Sequence, residues 1–244
     1  MTSQEVERVM QEYMKAGRST FEIDRHWLGQ AQPGIILTQD LCLACDANAN
    51  CAKALILNPR TIQGIMDTVM DIGRAADAHD AANTLVLEMK DRLQRIRDLV
   101  SAKPRLKVIS LEGVNPLVGG GHWIPEMKIW AGGYDPLFEP GCNARKLEWK
   151  DIVSANPEVL ILCPCSRRGN LFLVDHAIYS RPGPRVVDGI AALAFILHGV
   201  EVDIRTPVHI MRLKQSVVEA VLTGSADAMG SWRDWFEDLR VGSL

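Results

Sequence analysis

Neither sign of charge dominates this chain: 27 basic residues stand against 30 acidic ones, a net charge of −3. That balance leaves no basic footprint for nucleic acid or for an anionic membrane surface. No uninterrupted apolar run is long enough to cross a bilayer, so membrane insertion is not expected. The opening stretch MTSQEVERVMQEYMKAG mixes acidic and basic groups without an apolar h-region. It is no secretory leader, and the expectation is a cytoplasmic protein. Gly-x-Ser-x-Gly and His-Glu-x-x-His are both missing, and the His–Asp neighbours in HDAAN and DHAIYS make no catalytic geometry by adjacency. No nucleophile or base can be nominated, so an enzyme is not expected. Internal repeats and low-complexity tracts are absent too. What is present is ordinary for a globular protein, 47% hydrophobic and 23% charged, in a chain long enough for one large domain or two small lobes.

Six cysteines occur, Cys42, Cys45, Cys51, Cys142, Cys163 and Cys165. Without a leader they read as reduced thiols rather than a disulfide framework. CLAC (42–45) has the spacing of a zinc chelate or a thiol–disulfide pair, and CPC (163–165) could complete a set of four. The alternative function is therefore an intracellular zinc-binding or redox protein using Cys42, Cys45, Cys163 and Cys165. Against it, CLAC lacks the strand-to-helix context and the internal proline of a thioredoxin motif, which leaves inert buried thiols as the plainer reading.

Apolar spacing predicts an amphipathic helix over residues 3–16 and a short one over 24–31 with Asp24 as its N-cap. GIILT (34–38) and ALIL (54–57) read as strands flanking the cysteine loop. A helix introduced by Pro59 follows, with Ile62, Ile65, Met66, Val69 and Ile72 on its apolar side. Over 78–102 the stripe Ala82, Leu85, Val86, Met89, Leu93, Ile96 and Val100 predicts the longest helix, over 30 Å at ~1.5 Å per residue. The pattern then restarts with strand LKVISL (106–111), a helix near 125–131, helix EWKDIVSA (148–155) and strand EVLILC (158–163). Only PCSRRG separates that strand from the apolar run NLFLVD (170–175). Six residues suit a hairpin but not a parallel crossover, so the two strands are antiparallel or a helix is missing. Val186, Ile190, Leu193, Ala194 and Leu197 make the inward face of a later helix. The end of the chain is expected to be helical near 208–222 and again where Trp232, Trp235, Phe236 and Leu239 share a face.

The stretch GVNPLVGGGHWIPEMKIWAGG (113–133) is rich in glycine but has neither the Lys-Ser/Thr of a Walker loop nor the third glycine of a dinucleotide fingerprint. Its glycines would instead let the chain pass near a bulky ligand or turn Trp123 toward one; the plain alternative is that Trp123 is core.

Taken in order, ILTQDLCLAC, GHWIPEMKIWAGG and YSRPGPRVVDGI resemble the cobalamin-binding-protein-like branch of the ABC-transporter substrate-binding proteins, over roughly residues 3–200. The resemblance implies two Rossmann-like α/β lobes joined by a rigid long helix, with a small-molecule ligand held between them and an ABC permease as partner. It implies a partial N-terminal lobe (1–77), the joining helix (78–103), a C-terminal lobe (104–205) and a helical extension (206–244). The ligand would be cobalamin or a related corrinoid, carried as cargo with no cofactor required. Trp123 and Tyr179 would stack on it, while Asn115, His122 and Arg181 would meet its amides or carboxylates; Arg185 would tie the turn to the next helix. The family begins with a strand and helix ahead of the region matching Ser3, has an aromatic where Ile178 stands, and carries a crossover helix after PC. A shortened first lobe and a missing crossover helix are therefore expected.

Overall fold

The computed structural model describes residues 24–39, 54–114, 116–162, 172–174, 176–206, 208–214, 216 and 236–239, with positions 5, 8, 9, 12, 13, 15 and 16. The chain divides into two compact units, Met1–Glu88 and Met89–Leu244.

In the first unit, Glu5, Arg8, Val9, Glu12, Tyr13 and Lys15 are helical, as the periodicity of 3–16 predicts. Helix α1 (Arg25–Ala31) starts where Asp24 accepts the Trp27 N–H at 2.8 Å and ends at Gln32 in the left-handed region. Strands β1 (Ile36–Thr38) and β2 (Ala54–Ile56) pair in parallel, Leu37 opposite Leu55. Helix α2 (Ile62–Ala75) begins three residues beyond Pro59, because Thr61 supplies the cap: its Oγ1 accepts the Gly64 N–H at 3.0 Å. Ile62, Ile65 and Met66 are buried, as their spacing requires. Helix α3 (His79–Val100) carries its stripe as expected, with Ala82, Val86, Met89, Leu93, Ile96 and Val100 buried and Lys90, Asp91, Arg95 and Arg97 exposed. Gly73 lets α2 and α3 meet closely: a Cβ there would stand 2.3 Å from the Ala82 methyl. The boundary between the units falls inside α3.

The second unit is built on a mixed sheet. Its strands are β3 (Leu106–Val114), β4 (Leu117–Gly119), β5 (Gly133–Tyr134), β6 (Arg145–Lys146), β7 (Val159–Leu162), β8 (Phe172–Val174), β9 (Ile210–Leu213) and β10 (Phe236–Leu239). Their order is β10-β9-β8-β7-β3-β4-β6, with β5 beside the start of β3. Strands β3, β7 and β8 run parallel. Alternation along β3 sends Ile109 and Leu111 into a cluster with Leu117, Phe138, Leu147, Ile152 and Leu162. Ser110, between them, points to the other face. The helices are α4 (Ile124–Trp130), α5 (Trp149–Ala155), α6 (His176–Tyr179) and α7 (Val186–His198). Helix α7 is buried on nearly every side, including Val186, Ile190, Leu193, Ala194 and Leu197, as an all-round apolar helix must be. One fully buried cation sits on α4: Lys128 pairs with Asp135, whose second oxygen accepts the N–H groups of Leu137 at 2.8 Å and Phe138 at 3.1 Å.

Two expectations need correction. The antiparallel alternative for β7 and β8 is wrong, since Ile161 and Leu162 pair in parallel with Phe172 and Leu173. Residues 163–171 alone join them, fewer than the dozen or more a crossover with a helix takes. The second correction is at the end of the chain, where 208–222 and the Trp232–Leu239 stripe read as helices. Instead Ile210–Leu213 forms β9, and Phe236–Leu239 forms β10 antiparallel to it; Ser216 is helical, while 217–222, Trp232 and Trp235 lie outside the described residues. A segment of four residues fits either period, and the open flank of β8 supplies a ladder of backbone partners that decides the matter.

Candidate functional site

The glycines at 119–121 are used for close packing. Strand β4 returns alongside β3, so Gly120 donates its N–H to the Ser110 carbonyl at 3.0 Å. A Cβ on Gly119 would lie 2.3 Å from the Phe138 ring, and one on Gly121 would lie 2.3 Å from the Ala144 nitrogen. Backbone hydrogen bonds seal this contact: His122 N to Cys142 O at 2.6 Å, and Gly141 N to His122 O at 2.8 Å. His122 takes the left-handed conformation (φ +56°), uncommon for a residue with a side chain.

Trp123 therefore turns inward. It is 5% exposed, and its indole N–H donates to the Tyr179 carbonyl at 3.0 Å. Tyr179 is fully buried as well, its hydroxyl 2.7 Å from the Ser110 hydroxyl. The two aromatics thus form a buried bracket. It joins β3, the glycine segment and the end of α6, binding together two motifs 56 residues apart in sequence. The physical reason is the backbone of 142–144: with that segment pressed against Gly121, the chain enters α4 with Trp123 over the core.

Beyond Tyr179 the chain surfaces. Arg181, Pro184 and Arg185 are exposed, and Val186 N closes the turn on Gly183 O at 2.9 Å. The Ser180 hydroxyl is buried and has no hydrogen-bond partner among the described residues. His122 is half-buried, its ring centroid 5.9 Å from that of Trp123. Asn115 lies outside the described residues, as do Cys42, Cys45, Cys163 and Cys165 of the zinc reading. Cys142 is a free thiol, and no group of three or more His, Cys, Asp or Glu among the described residues could hold a metal ion. The sequence reading missed Ser110, Ser180 and Asp188. Only Asp188 leaves a signal in the sequence, a carboxylate within the apolar run VVDGIAALAFILH.

The β3–β4 connection follows the C-terminal end of β3, and the turn follows β8 by way of α6; the C-terminal ends of parallel strands are where open α/β sheets take ligands. No protein-family model and no curated protein matches the sequence. Solved structures do. A periplasmic heme-binding protein from Pseudomonas aeruginosa superposes with a TM-score of 0.59 at 15% identity, over 73% of this chain and 76% of that one. The periplasmic vitamin B12 binding protein of Vibrio cholerae gives 0.56 at 14% identity, over 72% and 78%. This is the periplasmic-binding-protein fold. A third example, a periplasmic binding protein from Veillonella parvula, gives 0.51 at 15% identity over 62% of this chain, which spans 63% of that protein's length. The periplasmic-binding-protein fold was the expectation from the three motifs. The three proteins are periplasmic by name, whereas the missing leader had led to the expectation of a cytoplasmic chain. Among the described residues no helix is long and apolar enough to cross a membrane.

Proposed function

We propose that the chain is a non-enzymatic binding protein of the ABC-transporter substrate-binding type, whose ligand is a corrinoid or another broad, planar metal chelate. The observation that carries this reading is the Ser110–Tyr179–Trp123 bracket. It fixes the turn at 180–185 to the central strand β3, while leaving Arg181 exposed and the Ser180 hydroxyl without a partner among the described residues. Rigid backing with a charged side chain exposed beside it is what a flat, apolar-faced ligand with polar edges needs. Arg181 suits carboxylate edges through its planar fork of donors. The ligands named for two proteins of this fold, vitamin B12 and heme, are both flat macrocycles carrying a metal. Such a ligand is cargo, and an ABC permease is the partner this role calls for.

Absorbance titration with cobalamin and with hemin tests the proposal. A saturable spectral change with at least one of them is expected, and none at high micromolar protein would end it. Arg181→Ala is expected to weaken binding about tenfold, or roughly 1.4 kcal/mol, without lowering the melting temperature.

A further inference from the structure

We propose that Asp188 is the positioning residue of the 181–185 turn and that its ion pair with Arg92 sets the affinity for whatever the turn meets. The affinity half of this inference rests on the binding role above; the positional half stands on geometry alone. Asp188 is 3% exposed in its side chain, in the first turn of a helix otherwise apolar up to His198. One oxygen receives both the Arg92 guanidinium and the backbone N–H of Arg205, the latter at 3.1 Å. Arg92 also donates to the Asp203 carbonyl at 3.0 Å. One carboxylate thereby ties together α3, α7 and the segment after α7.

Stability alone does not explain such a pair. Burying two charges costs much of what their attraction returns, and apolar residues of similar volume often serve as well or better. What an ion pair adds is a fixed position. The turn needs one at its far end. Its near end is held by Tyr179, whose carbonyl and hydroxyl are both bonded. Its far end is the start of α7, where Gly189 presses against α6 so closely that a Cβ would lie 2.4 Å from the Ile178 carbonyl oxygen. That contact has no directional bond to stop α7 sliding or rotating, and Asp188, its neighbour in sequence, supplies one.

The test combines Arg92→Met with Asp188→Asn, so that neither charge is left buried alone. Trypsin provides a readout that needs no ligand. The Arg185–Val186 bond lies in the turn, and Lys128–Ile129 lies beside a fully buried lysine and reports general unfolding. In the double variant we expect cleavage after Arg185 to rise about tenfold or more, through local opening, with cleavage after Lys128 unchanged. The dissociation constant for hemin or cobalamin should rise about tenfold in parallel. Arg92→Lys, which keeps the charge but loses the fork, should fall between wild type and double variant, and it carries the same comparison if the double variant does not fold. Cleavage rising equally at both bonds, or not at all, overturns the positional role. Unchanged affinity despite a loosened turn overturns the affinity half. Failure of the wild-type protein to bind either probe ends the binding role but leaves the trypsin comparison to decide whether Asp188 positions the turn.

Discussion

At the scale of single residues, the indole of Trp123 and the missing side chain of Gly121 belong to one packing solution. Trp123→Ala is expected to cost ~3–5 kcal/mol, the range for emptying a buried aromatic site, read as a shift in the urea midpoint. Trp123→Phe keeps most of the volume but removes the indole N–H that meets the Tyr179 carbonyl, and should cost ~0.5–1.5 kcal/mol. Gly121→Ala drives a methyl to within 2.3 Å of a backbone nitrogen that cannot swing aside; overpacking of that kind costs ~1–3 kcal/mol. In the sequence, GGGHW was legible as a place of special backbone, and the phosphate reading could be dismissed on chemistry. Its partner was not legible. The segment pressed against it is 142–144, twenty residues on, and nothing local to three glycines says what approaches them.

At the scale of elements, helices α2 and α3 were readable because a period of 3.6 sustained over fourteen or more residues has no competing interpretation, while α7, apolar on nearly every side, was readable from its length. Strands β9 and β10 were not. Four residues each are too few to separate a period of two from one of 3.6, and their conformation is decided by the neighbouring ladder. Met211 discriminates sharply, since it lies opposite Leu173 on one side and Asp238 on the other. Met211→Pro would be tolerated in the first turn of a helix over 208–222. In a strand paired on both flanks it removes a donor and fixes an unsuitable φ, so a loss of about 3 kcal/mol or more is expected in thermal denaturation.

At the scale of the whole molecule, order mattered more than identity: three motifs in sequence led to the fold that solved structures share at 14–15% identity. Ligand choice depends on a few side chains at strand ends, and these diverge first, so the fold does not carry it. Binding has a global consequence that can be measured. A ligand at a hundred times its dissociation constant stabilises the folded state by ~2.7 kcal/mol, which for a chain of this length raises the melting temperature by roughly 5–10 °C. Hemin or cobalamin is expected to produce that shift, and a flat response at saturation would contradict the proposed role. Elemental analysis of the purified protein addresses the cysteine reading separately; one equivalent of zinc would revive it.

The antiparallel pair β9–β10 has a practical consequence. Because it flanks β8, the pair is structural, and a fragment ended at Arg205 would bare the donors and acceptors of β8 to solvent. Such a raw edge seeks another strand. The shortened fragment should self-associate or precipitate during purification, and a synthetic peptide covering 206–244 should restore its solubility by taking the vacant place in trans.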